Sequence, residues 1–144
     1  MNYNEARITK LRDYLFSIID ILTTDKNYQI NADMLDKDIN NYSLDKIPTE
    51  SIIEEDIVGN IVCQDVYSFR SRKAYSQDVI NNLSNIGFFE KFESTIKSNN
   101  DKGVWPEIDG IQSIECLNTG TMNSSDGTTA MFDIQIKIEY IKEG

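Results

Sequence analysis

Residues 130–141 read Ala130-Met131-Phe132-Asp133-Ile134-Gln135-Ile136-Lys137-Ile138-Glu139-Tyr140-Ile141. From Ala130 to Tyr140 every second residue is apolar or aromatic. Asp133, Gln135, Lys137 and Glu139 stand between them. Side chains alternate across a strand, so this stretch is a strand with one face in a core and one polar face. Such a strand needs neighbours to pair with and a layer to cover its apolar side.

The neighbours are sought by working outward. Residues 111–120, with Ile111, Ile114, Cys116 and Leu117, make a second C-terminal strand. The segment from Thr121 to Thr128 joins the two as a loop, with Asp126-Gly127 as its turn. Residues 51–58 and 60–70 pair as a hairpin around Gly59-Asn60. Its second strand places Ile61, Cys63, Asp65, Tyr67 and Phe69 in one row, and Val62, Gln64, Val66, Ser68 and Arg70 in the other. Both rows carry apolar residues, so a helix is expected on one face and a neighbouring subunit on the other. Residues 28–35 alternate as a half-buried strand. An acidic connector, Asp36 to Asn41, follows it. Tyr42, Leu44 and Ile47 run to Pro48 as an edge strand or extended loop.

The covering layer comes from two helices. Ile8, Leu11, Leu15, Ile18 and Leu22 recur at steps of three and four, predicting a helix over 4–22 with Asn4 as cap and Glu5 in the first turn. Phe16, Ile19 and Ile21 widen its apolar stripe. Ser76 caps a second helix running to about Ser98, and Gly87 is expected to kink or split it. A polar loop containing Trp105-Pro106 fills residues 99–110. One α+β domain over residues 1–144 results: a small mixed or antiparallel sheet with an N-terminal and a central helix packed on it.

Composition narrows the chemistry. The 144 residues contain no histidine, which removes Ser-His-Asp and Cys-His catalysis and every His-ligated metal site. The seven glycines are scattered and form no phosphate loop. Asp36-Lys37-Asp38-Ile39-Asn40 begins like a calcium loop. Asn41 and Ile47 then stand where glycine and a bidentate glutamate are required. Glu54-Glu55-Asp56 is consecutive, so its carboxylates point to alternate sides and read as a solvated or interfacial charge run. Cys63 and Cys116 lack metal spacing and read as buried free thiols. No catalytic, cofactor-binding or metal-binding residue is expected. Nothing resembles a signal peptide, and no apolar run approaches the ~20 residues of a membrane span. Production in the cytoplasm is the expectation.

The net charge is −10, and residues 25–56 alone hold three basic and nine acidic residues. The compact basic cluster is Arg70, Arg72 and Lys73, beside Phe69 and Tyr75. Amid so much acid it reads as a set of salt-bridge partners, within the chain or across a subunit contact. Trp105 is either an interface anchor or a clamp on its own domain.

A longer pattern ties these pieces together. Val66-Tyr67-Ser68-Phe69-Arg70-Ser71-Arg72-Lys73-Ala74-Tyr75-Ser76-Gln77-Asp78 is an aromatic strand followed by a Ser-Arg-x-x-Tyr turn into a helix. Asn85-Ile86-Gly87-Phe88-Phe89-Glu90-Lys91-Phe92 follows. After Trp105-Pro106 come Ile111-Gln112-Ser113-Ile114-Glu115-Cys116-Leu117 and Ala130-Met131-Phe132-Asp133-Ile134-Gln135-Ile136. In order and spacing, with Pro48 and the segment Ile52 to Gln64, these resemble the tail-terminator (tail-completion, minor capsid) proteins of tailed phages and prophages of Gram-positive bacteria. The resemblance covers residues 40–141. It departs from the family at Gly120 to Thr128, which is Ser/Asn-rich where an aromatic and more acid are the pattern.

The resemblance implies a virion protein forming a six-fold ring on the last ring of the tail tube. The ring would stop tube growth, meet the neck or head-completion protein with its other face, and anchor the tail sheath where the tail contracts. DNA would pass through without being held. Arg70, Arg72, Tyr75, Trp105 and Tyr140 are the expected interface residues, and Asp33, Asp36 and Asp38 the expected lumen acids. An adjacent neck component (adaptor or stopper) and the cap of a headless tail-like bacteriocin are the neighbouring readings. A small-molecule-modifying enzyme such as an acetyltransferase would need a cofactor pocket, and this chain offers neither a phosphate-binding glycine loop nor a histidine base.

The charge balance predicts that the purified protein leaves duplex DNA unshifted in a gel at about 0.15 M salt, since phosphate binding draws on clustered Lys and Arg. A shift abolished by Ala at Arg70 and Arg72 would instead assign that cluster to nucleic acid.

Overall fold

A computed structural model describes residues 6–22, 30–32, 41–49, 51–55, 57–74, 79–118, 121–125 and 129–142. Its spine is two strands of 14 residues, β4 (Ile61–Ala74) and β7 (Thr129–Lys142). They pair antiparallel without a break from Ile61↔Lys142 to Ala74↔Thr129. At roughly 3.4 Å per residue the pair is ~45 Å long.

Each spine strand carries two short partners on its outer edge. β3 (Ile52–Glu55) lies along residues 61–63 of β4, and β2 (Asn41–Ile47) along residues 66–72. β5 (Ile111–Cys116) lies along residues 136–140 of β7, and β6 (Thr121–Ser125) along residues 130–133. β1 (Ile30–Ala32) adds to β2 in parallel. The antiparallel order from β2 through β4 and β7 to β5 is that of an α+β domain.

The period of two then assigns the faces. Cys63, Tyr67 and Phe69 of β4, Ile134, Ile136, Ile138 and Tyr140 of β7, Tyr42 and Leu44 of β2, and Ile114 of β5 are all buried on one side. Helices α1 (Arg7–Leu22) and α2 (Val79–Asp101) cover that side. α1 buries Leu11, Leu15, Ile18 and Ile19, the stripe its spacing predicts. α2 crosses the spine through aromatic contacts. Phe92 stacks on Phe69 at 5.3 Å between ring centroids, Phe69 on Tyr42 at 5.4 Å, and Phe89 meets Phe132 at 5.1 Å. Such pairs add about 0.5–1.5 kcal/mol each beyond the area they bury.

Several boundaries differ from the sequence expectation. β2 is an inner strand at Tyr42–Leu44, where β1 pairs with it, and an edge only beyond. Gly87 does not split α2, which runs as one helix from Val79 to Asp101. A glycine costs a helix only ~1 kcal/mol, and the aromatic contacts of Phe88, Phe89 and Phe92 that follow outweigh it. The expected polar loop at 99–110 begins late, at the end of α2, and buries Pro106 and Ile108. Between β5 and β7 the expected loop holds β6. Its sequence, Thr121-Met122-Asn123-Ser124-Ser125, has no apolar alternation to mark it, and its backbone pairs with β7. The turn at Asp126-Gly127 and the cap at Ser76 lie outside the described residues, as does Asn4.

α2 ends in a glycine cap. Gly103 has φ +73°, the Val104 amide donates to the Asn99 carbonyl at 2.8 Å, and the Gly103 amide donates to Asn100 at 3.1 Å. This is the paired hydrogen-bond pattern that closes helices with a left-handed residue. A second glycine is held by space as well as by conformation. Gly110 has φ +76°, accepts a hydrogen bond from the Ile141 amide at 2.9 Å, and would place a Cβ 2.2 Å from the Ile141 carbonyl oxygen. Gly110→Ala is therefore expected to destabilise the fold by at least the ~1–3 kcal/mol of a strained backbone, read as a lower denaturant midpoint. Gly87→Ala, with open space around its Cβ, should hold or raise that midpoint.

Candidate assembly interface

The most constrained polar site is Asp65. It belongs to the apolar row of β4, so the strand's alternation drives a carboxylate into the core, where its side chain is 1% exposed. Isolated, such a charge would be prohibitively costly. Here Oδ2 accepts from Arg7 Nε at 2.7 Å and from the Tyr67 hydroxyl at 3.2 Å. Oδ1 accepts from the Tyr140 hydroxyl at 3.3 Å and faces Lys46 Nζ at 3.4 Å. Four elements meet there: α1 through Arg7, β2 through Lys46, β4 through Asp65 and Tyr67, and β7 through Tyr140. The Arg7 guanidinium also lies 4.6 Å from the centre of the Tyr140 ring, within cation–π range.

The electrostatics follow from that geometry. Burial opposes ionisation of Asp65, but the Arg7 hydrogen bond and charge, with Lys46 and Tyr67, outweigh it and hold the carboxyl below its ordinary 3.8. Burial and the neighbouring Asp65 charge push the Tyr140 hydroxyl up to about 12, and raise that of Tyr67 as well. Both tyrosines stay protonated as donors. Burial, with Glu93 and Glu115 nearby, pushes the Cys116 thiol up to about 12, and both cysteines are free. A thiol so protonated is a poor nucleophile.

Beside Arg7 opens a cleft of about 1220 Å³, walled by α1, the segment after α2, and the ends of β5 and β7. Trp105 stands in its wall. The Trp105 indole N–H donates to Asn100 Oδ1 at 3.0 Å, and the same oxygen accepts from the Ile114 amide at 3.0 Å. Tyr14 donates its hydroxyl to the Val104 carbonyl at 2.8 Å and accepts from Asn99 Nδ2 at 3.2 Å. The end of α2 is thus tied to both α1 and β5.

The opposite face of the sheet carries no helix among the described residues. Polar pairs span it instead. Arg70 bonds Asp45, Ser68 donates to Asp133 at 2.8 Å, and Lys137 joins Glu115 at 2.8 Å and Glu139 at 3.2 Å. At the strand ends the chain leaves apolar side chains in water: Ile52 and Ile53 in β3, and Ile57 and Val58 in the turn after it.

The residues singled out from sequence do not converge. Arg70 is an in-chain salt-bridge partner, held by Asp45. Trp105 packs against its own domain. Tyr140, expected at an interface, is 3% exposed and spends its hydroxyl on Asp65, because it belongs to the inward row of β7. Arg72 is placed by its backbone opposite Met131. Its side chain, and Tyr75, Asp33, Asp36 and Asp38, lie outside the described residues. Sequence reasoning passed over the Asp65 cluster and the exposed hairpin. A lone acid in the row Ile61-Cys63-Asp65-Tyr67-Phe69 was the signal for the first.

No family model matches this chain, and a search of curated proteins finds no significant match.

Asp65 makes the fold pH-sensitive in a defined direction. A carboxyl held below 3.8 contributes stability that is complete above that value and lost as pH falls through its folded pKa. Asp65→Asn is expected to cost about 1–3 kcal/mol at pH 7 and to flatten the acid limb of a denaturant-stability profile. An unchanged slope below pH ~4 would show that other carboxylates carry it.

Proposed function

We propose that this chain is a structural subunit of a virion, a tail terminator assembling as a six-membered ring on the head-proximal end of a tail tube. Its partners are copies of itself, the tail tube protein, a neck or head-completion protein and, in a contractile tail, the sheath protein. DNA passes through the ring.

The resemblance over residues 40–141 supplies the family. The observation that supports assembly is the group Ile52, Ile53, Ile57 and Val58, which the fold leaves 47% to 104% exposed on one hairpin. Several large apolar residues exposed side by side mark contact surfaces. The surroundings fit a scaffold: the buried charge at Asp65 is consumed in tying elements together, and Arg70 and Lys137 are engaged in ion pairs.

The expected outcome is that the purified protein forms rings, alone or on isolated tail tubes, visible by negative-stain microscopy and as oligomers in sedimentation. A strictly monomeric protein that is also absent from purified tails sinks the proposal.

A further inference from the structure

We propose that Asp65 is a latch on the first turn of α1, and that its release opens the Trp105 cleft from the α1 side. The device belongs to the single folded chain and stands whether or not copies assemble.

Three observations carry it. First, the contacts of Asp65 differ in what they hold. Tyr67 is on the same strand. Lys46 is in β2 and Tyr140 in β7, and backbone pairing keeps both strands beside β4 whatever the carboxylate does. Arg7 belongs to a helix, whose backbone hydrogen bonds are made within itself. Of the four partners, Arg7 is therefore the one that loses its seat when the Asp65 charge is lost.

Second, the first turn has little else to hold it. Arg7, Ile8, Thr9 and Lys10 are only half-buried, with Ile8 packed partly against the core. Full burial starts at Leu11. Tyr14 then ties the next turn to Val104 and Asn99. A helix is weakest at its start, where the first amides lack intrahelical partners. Release is therefore local, fraying α1 back to Leu11 and no further.

Third, that turn is a wall. Arg7 and Lys10 line the cleft of about 1220 Å³. Lys10 also lines a second hollow of about 290 Å³, with Asp13, Tyr14 and Ser17. Trp105, Pro106 and Glu107 border both. Moving the first turn joins the two hollows and uncovers Trp105.

Acid is the trigger that these groups allow. Arg7 from α1, Lys46 from β2, Tyr67 from β4 and Tyr140 from β7 face Asp65, with Cys63 near Tyr140. None of them changes charge between pH 7 and pH ~3, whereas a carboxyl does. The Asp65 charge is present above its folded pKa, which lies below the ordinary 3.8, and is lost as pH falls through it. The latch is shut at neutral pH and opens in acid. Asp13, Glu107 and Asp109 line the hollows and titrate as well, so variants must separate their effect from that of Asp65.

The test is amide hydrogen exchange followed residue by residue. The amides of Leu11 to Tyr14 report the first turn, because their helical acceptors are the carbonyls of Arg7 to Lys10. Arg7→Met, which keeps an aliphatic stem, is expected to speed their exchange about tenfold at neutral pH. Asp65→Asn should do the same, and the two together little more than either alone, since both remove one contact. Lys46→Met is the control. It also takes a cation from Asp65, but β2 stays paired, so Leu11 to Tyr14 should exchange as in the wild type. Trp105 is the one tryptophan, and its quenching by acrylamide should rise with Arg7→Met and Asp65→Asn but not with Lys46→Met. In the wild type quenching should rise in acid, and in Asp65→Asn it should be high at every pH. Arg7 is 28% exposed, so Arg7→Met tests the latch even where Asp65→Asn disturbs the core. The latch is overturned if all three variants speed Leu11 to Tyr14 alike, which marks general destabilisation, or if Arg7→Met leaves them unmoved. Faster exchange with Trp105 quenching unchanged overturns the opening of the cleft.

Discussion

Fourteen residues of β4 lie against fourteen of β7 in one unbroken register, and the other elements take their places from it. Successive side chains on a strand alternate between faces, so a slip of one residue would turn both rows over. In the native register Cys63, Tyr67 and Phe69 stand beside Tyr140, Ile136 and Ile134, making a continuous apolar surface for the helices. The same register sets Arg70 opposite Asp133 and Val66 opposite Lys137 on the other face. The short strands are shaped by the spine. Neither β3 nor β6 has an apolar row of its own, and each persists as a partner to part of a long strand.

Asp65 is the exception that this register forces into the core. Burying a carboxylate is tolerable only when its oxygens are satisfied and opposite charge is close. Arg7 and Lys46 supply the charge, and Tyr67 and Tyr140 supply hydroxyl donors. An apolar residue in its place would remove the desolvation cost and also the polar tie between the start of α1 and the sheet. Apolar packing of Leu11, Leu15, Ile18 and Ile19 sets which face of α1 is buried, and the 2.7 Å hydrogen bond from Arg7 adds a directional contact at its start. The cluster fixes the start of α1 against the sheet, and thereby one wall of the cleft beside it.

The two faces of the sheet divide the work. One is closed by aromatic stacking between α2 and the spine, with Phe92, Phe69 and Tyr42 in a column. The other is held by half-buried ion pairs and hydroxyl contacts within the chain. A polar network of that kind is weakly adhesive, because surface ion pairs contribute little and are screened by salt. At one end of the spine the hairpin of β3 and β4 leaves Ile52, Ile53, Ile57 and Val58 exposed.

The sequence by itself determined what depends on neighbours along the chain. The alternation from Ala130 to Tyr140 marked β7, the two rows of residues 61–70 marked β4, and the spacing from Ile8 to Leu22 marked α1. Gly59-Asn60 marked the hairpin turn. These are local periodicities, and they sufficed for the α+β class and for the buried face. They were blind to β6, whose Ser/Asn-rich residues carry no period, and they overstated Gly87, whose local cost is outweighed by contacts from distant strands. The candidate interface was less legible. Arg70, Trp105 and Tyr140 stood out by residue type, yet tertiary structure gave all three partners inside the chain. Asp65 became a structural knot, and Ile57 and Val58 an exposed turn, only once strand pairing was fixed. Whether a polar group is buried or an apolar one exposed depends on what the rest of the chain brings to it, and no local pattern contains that.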